Sequence, residues 1–376
     1  MDFEAYQQRD PEYKSTSRDV FKLLRELSSE DINGIILDLR NNSGGSLTEA
    51  IQLTDLFIET GPVVQIRDSN KRVSPVQKAK RRSVYRGPLI VMINRLSASA
   101  TEIFAGALQD YGRALIVGSQ SFGKGTVQDI TGLSKGQLKM TISKFYRVSG
   151  ESTQNRGVIP DVSFPSRFNV EEIGEKHKEN ALPWDRIAPV PYKSNQRLKQ
   201  LSVAVIEKHK ARSLADPDYI HLIARNELVN EWQNEDKLSL NLDNRRGRLE
   251  EWDSRNLSLE NQRRIGKNEN PYANVEIWKN AEAAKVATTH TIKEGDTLSQ
   301  IADKYDVAMD KLLRVNELAD ANDIKIGKMI KLERSKTQND EDALLLEASQ
   351  ILIDQIKLEY AKSLQLMGNN AGYYKQ

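Results

Sequence analysis

The stretch Pro88-Leu89-Ile90-Val91-Met92-Ile93-Asn94-Arg95-Leu96-Ser97-Ala98-Ser99-Ala100-Thr101-Glu102 decides how the first half of the chain is read. Pro88 to Ile93 is an apolar run of the length and type of a strand buried on both faces. From Ser99 to Asp110 the apolar residues Ile103, Phe104, Ala107 and Leu108 recur at helical spacing. A buried strand therefore gives way to a helix, and Ser99 stands at the junction.

The same alternation extends outward from about residue 15 to 165. Val20, Leu23, Leu24 and Leu27 have helical spacing behind Ser15, Thr16 and Ser17 as caps, and Gly34 to Leu39 reads as a second strand buried on both faces. Ser46-Leu47-Thr48-Glu49 is a capping box opening a helix with Leu47, Ala50, Ile51, Thr54, Phe57 and Ile58 on or near one face, stopped by Gly61-Pro62. Val63 to Arg67 and Arg113 to Gly118 read as strands, and Leu138 to Tyr146 alternates like one. Asp68 to Arg86, with Lys71, Arg72, Lys78, Lys80, Arg81 and Arg82, reads as an exposed basic loop. The fold class predicted is an α/β sheet whose strands lead into loops carrying Gly44-Gly45, Ser99 and Lys124. In open α/β sheets sites gather at the carboxyl ends of strands, so these loops are expected to converge.

Beyond Pro165 the chain becomes charged, with helical periodicity near 195–212, 216–233 and 244–264, while 265–287 resembles a linker. At 376 residues, two or three domains are expected. Lys and Arg number 55 against 53 acidic residues, so the net charge of +2 makes no case for nucleic acid or a charged membrane surface. Cysteine is absent, which removes disulfides, thiol catalysis and Cys-based zinc sites. His177, His209, His221 and His290 show no ligand spacing, so no metal is expected. No run approaches the ~18 apolar residues of a membrane span, and Met1 to Tyr6 lacks the basic and apolar regions of a signal peptide.

The first histidine is His177, so a nucleophilic Ser99 has only a lysine or a carboxylate as a nearby base. Ser99-Ala100-Thr101-Glu102 is also a capping box, and on spacing alone a cap explains the serine. At a helix N-terminus, however, a hydroxyl faces free N–H groups and the positive dipole end, which favour a developing oxyanion. Gly118 to Lys124 matches the opening of a phosphate-binding loop, but Gly125 stands where that motif needs Ser or Thr, and Thr126 to Ile130 looks extended. A lysine base must be neutral, which burial beside Phe122 and flanking glycines would favour. A serine-lysine hydrolase is the sharpest reading; an exposed lysine in a glycine turn is the bland one.

Leu39-Arg40-Asn41-Asn42-Ser43-Gly44-Gly45, Ser97 to Ala105, Asp110-Tyr111-Gly112-Arg113-Ala114 and Phe122 to Gln128 together resemble the tail-specific, or C-terminal processing, peptidases. The likeness continues through Lys144 to Val148, Gly157 to Asp161 and Asn180 to Asp185, and reaches about residue 275. It implies a crotonase/ClpP-like core and an envelope or periplasmic endopeptidase without cofactor, acting on proteins with apolar C-termini, with an adaptor protein as a further candidate partner. The resemblance makes Ser99 the nucleophile, Lys124 the general base, Gln128 a group orienting the lysine and Asp110 a supporting carboxylate. It assigns the oxyanion hole to the Gly45 and Ala100 amides. Ser43 stands where the family usually has glycine. The family also carries a signal peptide, a helical region and a PDZ domain upstream, so the chain is expected to begin inside the peptidase core. An inactive wall-binding scaffold is the alternative function.

Thr289 to Leu298, Ile301-Ala302, Tyr305, Leu312-Leu313, Asn316 and Ile326-Gly327 resemble a LysM domain, a βααβ module that binds peptidoglycan glycan. The resemblance places glycan beside Gly295, Asp296 and Thr297. Asp342 to Leu366 reads as an amphipathic helix. The expected organisation is a peptidase core over 1–165, a helical domain over 166–275, a linker over 276–287, the βααβ module over 288–334, and a terminal helix and tail over 335–376.

Overall fold

The computed structural model describes residues 14–77, 82–235, 237–286, 289–305, 307–318, 320–321, 323–332 and 342–373. They form two compact units, Met1–Leu214 with Glu347–Gln376, and Ala215–Leu346. Lys78, Lys80 and Arg81 of the expected basic loop, and residues 335–341 ahead of the terminal helix, lie outside the described residues.

In the first unit the chain runs α1 (Thr16–Leu27), β1 (Ile35–Asp38), α2 (Leu47–Asp55), β2 (Pro62–Asp68), β3 (Val73–Gln77), β4 (Leu89–Ile93), α3 (Ala100–Asp110), β5 (Leu115–Gly118), β6 (Thr126–Gly132), β7 (Gln137–Tyr146), β8 (Val162–Ser163) and α4 (Gln196–Ser213). One sheet has the order β1-β4-β5-β8 and is parallel. Its inner strands β4 and β5 are buried throughout, as their unbroken apolar runs require. Ile35 to Leu37 were expected to be buried as well but are only half-buried, because β1 is the edge strand. Phe57, Phe104, Leu53, Leu108 and Ile116 belong to the core packed around these elements.

The second sheet, ordered β3-β2-β7-β6, is antiparallel. It corrects the reading of Asp68 to Arg86 as a loop, since Val73–Gln77 pairs with β2. The signal was weak because β3 is an exposed edge strand with a proline, Pro75, as edges tolerate. Helix α2 also ends earlier than its apolar spacing suggested, yet Phe57 and Ile58 beyond it are buried. Its capping box is half formed. The Glu49 N–H donates to Ser46 Oγ, but the Glu49 carboxylate accepts from Ser15 Oγ at 2.8 Å and Ser17 N–H at 2.8 Å, pinning the start of α1.

The second unit carries α5 (Pro217–Gln233), α6 (Leu242–Gly266), α7 (Val275–Val286), β9 (Thr289–Thr291), α8 (Leu298–Tyr305), α9 (Met309–Val315) and β10 (Met329–Lys331); α10 (Ala343–Tyr373) follows. Helix α7 corrects the linker expected over 276–287: Glu, Ala and Lys give it good helix formers, and Asn274 Oδ1 accepts from Ile277 N–H at 2.9 Å as its cap. Residues β9, α8, α9 and β10 close around Ile292, Leu298, Ile301, Tyr305, Leu312 and Ile330, with β9 and β10 antiparallel.

Candidate active site

The β4–α3 turn is bonded to the loop that follows β1. Ser97 Oγ donates to Leu39 O at 2.8 Å, Ala98 N–H to Asn42 O at 3.0 Å, and Thr101 Oγ1 to Asn42 O at 3.1 Å. Asn94 adds a side-chain bond to Asn41 Oδ1 at 2.8 Å. Gly44 is the point of closest approach: its φ is 102°, and a Cβ there would lie 2.6 Å from Ala98 O and 2.8 Å from Ser99 Cβ. Only glycine fits between the loop and the serine.

Ser99 has φ 57° and ψ −114°, neither the extended backbone of an ordinary N-cap nor a comfortable conformation for a residue with a Cβ. Strain of this kind concentrates at reactive positions such as a serine on a strand-to-helix elbow. The neighbouring Ala100 N–H is an orphan donor of the first helical turn. Neither it nor the Gly45 N–H donates to another group among the described residues.

Glu102 organises the site. Its buried carboxylate accepts from Ser99 N–H at 2.7 Å and Lys124 N–H at 2.9 Å through Oε2, and from Ser121 Oγ at 2.5 Å and Gly123 N–H at 2.7 Å through Oε1. Because one oxygen holds both amides, the Ser99 and Lys124 backbones are fixed within two hydrogen-bond lengths of each other. Burial pushes the Glu102 carboxyl up to about 7, against the lowering effect of its four hydrogen bonds. The sequence showed Glu102 only as the partner in a capping box. Nothing local in it signalled the reach to residues 121–124.

Lys124 lies in the turn between β5 and β6, clamped on both sides. Asn155 N–H donates to Gly123 O at 2.7 Å, and Gly125 N–H to Gln154 Oε1 at 2.8 Å. Burial holds the Lys124 ammonium below the usual lysine range; Lys139 adds to this, Glu175 opposes it, and Lys178 and Glu102 make smaller contributions of opposite sign. Arg95, also unremarked in the sequence, is buried and donates to Ser121 O, Ile173 O and Val170 O. It thereby ties the segment bearing Glu175 to the Lys124 turn, where Glu175 N–H donates to Phe122 O at 3.1 Å.

The remaining expected residues divide. Gln128 is exposed on β6 opposite Thr141, and both line a cleft of about 340 Å³ with Thr126, Glu175, Lys178 and Leu182; no hydrogen bond joins Gln128 to Lys124. Asp110 is not brought to the site. It ends α3, roughly 15 Å along the helix from Ser99, where it pairs with Arg147 at 2.6 Å and accepts from Ser149 Oγ at 3.2 Å.

In the second unit Gly295, Asp296 and Thr297 share the turn between β9 and α8. Gly295 has φ 87°. Asp296 Oδ2 lies 2.8 Å from His290 Nε2 and accepts from Lys293 N–H at 2.7 Å, while Thr297 and Gln300 form a reciprocal capping box. Their polar groups thus hold the turn itself. Among the described residues no cluster of three His, Asp or Glu is arranged to hold a metal, and no helix is long and apolar enough to cross a membrane.

Comparison with known proteins gives two matches that together span most of the chain. Residues 3–164 match Peptidase family S41, and residues 168–357 match the C-terminal domain of tail specific protease (DUF3340). The chain is 42% identical over 263 residues to a tail-specific protease of Haemophilus influenzae, covering 67% of this chain and 38% of that protein. It is 44% identical over 139 residues to a carboxy-terminal-processing protease of Bartonella bacilliformis, covering 36% of this chain and 32% of that one. Among solved structures, a photosystem II D1 C-terminal processing protease is 33% identical over 39% of each chain, with a TM-score of 0.37. The chain thus spans less than two-fifths of the length of these relatives.

Proposed function

Because the chain belongs to the tail-specific proteases, with a peptidase family S41 core followed by that family's C-terminal domain, we propose that it cuts polypeptides by acyl transfer through Ser99 and Lys124. The observation that carries this reading is the Glu102 carboxylate, which holds the strained Ser99 and the half-buried Lys124 turn through a single oxygen.

In the proposed reaction neutral Lys124 Nζ takes the Ser99 Oγ proton as Oγ bonds to the scissile carbonyl carbon. The Gly45 and Ala100 N–H groups stabilise the resulting oxyanion, each worth about 3 kcal/mol in the transition state. Collapse breaks the C–N bond, and the Lys124 ammonium returns its proton to the leaving amine. Water, deprotonated by Lys124, then attacks the acyl-enzyme; the proton goes back to Ser99 as the acid product leaves. Gln128 is assigned a role in orienting Lys124 once substrate fills the cleft beside it. Asp110 supports the fold of α3 against Arg147 instead of the chemistry.

The substrates proposed are unfolded proteins with apolar C-termini, met in the periplasm or cell envelope and presented by an adaptor protein. For the second unit the sequence resemblance and the β9-α8-α9-β10 order favour a LysM module holding peptidoglycan beside Gly295, Asp296 and Thr297. Incubating the purified chain with an unfolded protein, alongside Ser99→Ala and Lys124→Ala, tests the catalytic reading. Loss of cleavage in both variants is expected; equal cleavage by Ser99→Ala removes the proposal. Sedimentation with insoluble peptidoglycan tests the module separately, and binding without turnover by the wild-type chain would favour the scaffold alternative.

A further inference from the structure

Every main-chain polar group of Gly123, Lys124 and Gly125 is held by a neighbour. Glu102 accepts from the Gly123 and Lys124 N–H groups. Asn155 N–H donates to Gly123 O at 2.7 Å, Thr153 Oγ1 to Lys124 O at 3.4 Å, and Phe145 N–H to Gly125 O at 2.9 Å. The remaining donor, Gly125 N–H, goes to a side chain, Gln154 Oε1 at 2.8 Å. A Cβ on Gly125 would lie 2.6 Å from Gln154 N and 2.8 Å from Gln154 Cβ, so glycine is what lets the two segments touch.

Gln154 is fully buried, and the other end of its amide is engaged as well: Nε2 donates to Leu182 O at 3.0 Å. Leu182 lines the cleft together with Thr126, Gln128 and Thr141. Asn155 Nδ2 donates to the same Leu182 carbonyl at 3.1 Å, Trp184 Nε1 donates to Ser152 O at 2.9 Å, and the Arg156 guanidinium stacks 3.6 Å from the Trp184 ring centroid. Residues 152–156 therefore fasten one wall of the cleft to the turn that carries Lys124. Reversing the Gln154 amide would set its NH2 against Gly125 N–H and its oxygen against Leu182 O, so a single orientation satisfies both ends. The amide does this without charge. A carboxylate in the same buried place would favour the ammonium form of Lys124, which the proposed reaction cannot use as a base.

We propose that Gln154 is a positioning residue for peptide cleavage, setting the Lys124 turn with one end of its amide and the Leu182 wall with the other, so that base and substrate seat keep a fixed separation. This rests on the Ser99–Lys124 reading. A residue that only supported the fold would change the fraction of active chain. A residue that sets the base and the wall changes KM, kcat and the pH profile of the chain that remains folded.

The test compares Gln154→Met, which keeps the length of the side chain and removes both bonds, with Gln154→Glu, which keeps the acceptor for Gly125 N–H and, once ionised, has no donor for Leu182 O. Active sites are counted with a small fluorophosphonate, and kcat and KM for an unstructured peptide are measured from pH 5 to 10. Gln154→Met should lower kcat per titrated site and raise KM, each by about tenfold. Its acid limb should move to higher pH, because burial is what chiefly holds Lys124 low and a loosened turn admits water. Gln154→Glu should also raise KM about tenfold and move the acid limb upward through its charge, yet recover the wild-type plateau rate of Ser99 labelling above that limb. Unchanged kcat per site and an unmoved limb in Gln154→Met at the wild-type thermal midpoint overturn the proposal. If Gln154→Met does not fold, Gln154→Glu decides, and an unchanged KM there overturns it. Failure of the catalytic reading looks different: Lys124→Ala would then label at the wild-type rate, whatever Gln154 does.

Discussion

Replacing Glu102 with glutamine probes the group that joins the two candidate catalytic residues. The amide oxygen can keep the Ser99 and Lys124 N–H bonds now made to Oε2, and the amide nitrogen can donate to Ser121 Oγ. Gly123 N–H, now 2.7 Å from Oε1, then faces a donor and is left buried and unpaired, at a cost of about 1–3 kcal/mol. The pH dependence carries a separate signature. Burial raises the folded carboxyl from its ordinary 4.5 to about 7, so its contribution to stability is fully present below about pH 4.5 and is lost as pH rises toward 7. Over that window the wild-type chain should lose about 3 kcal/mol relative to Glu102→Gln, which does not titrate. Urea unfolding of both proteins at half-unit steps from pH 4.5 to 8 measures the difference curve. A difference that is flat across the window, or rises with pH, refutes the reasoning.

Other consequences concern the base, the glycine loop and Asp110. Since the Lys139 charge helps hold Lys124 below its usual range, Lys139→Gln should move the acid limb of kcat/KM to higher pH, and an unmoved or lowered limb would count against Lys124 as the base. Gly44→Ala should abolish labelling of Ser99 by fluorophosphonate, because the added Cβ lands 2.8 Å from Ser99 Cβ at a φ of 102°; normal labelling would mean that the loop is free to move away. Asp110→Ala should destabilise the fold by about 3 kcal/mol through the uncompensated Arg147, with kcat per folded molecule nearly unchanged; a large fall in kcat at wild-type stability would restore Asp110 to the chemistry.

How much of this was readable in advance follows from where each signal lies. β4 and β5 are buried on both faces, so their apolar runs declare them, and the helix after Ser99 carries its own periodicity. β1 carries a similar run at an edge, which is why the pattern overstated its burial. β3 offered only Val73 and Val76 around a proline, too little to distinguish a strand from a loop. α7 lacks a long apolar stripe, and its Ala, Glu and Lys composition looks the same in a linker as in a helix. At the site, the loops after β1 and β4 meet because those strands are neighbours, as the strand–loop pattern suggested. The part played by Glu102 was hidden because a capping box already accounted for it, while its other partners lie about twenty residues away in sequence. Asp110 entered through family likeness, although the length of α3 alone sets it at the opposite end of the helix from Ser99.

The central claim is that Ser99 is a nucleophile activated by a neutral Lys124. The most direct measurement is the rate at which a fluorophosphonate modifies Ser99, followed by mass spectrometry of the intact chain and its peptides from pH 5 to 10. The account predicts one adduct, on Ser99, forming faster as pH rises through a lysine midpoint below the usual range, and no adduct in Lys124→Ala at neutral pH. Modification of another serine, or labelling of Lys124→Ala at the wild-type rate, would contradict it.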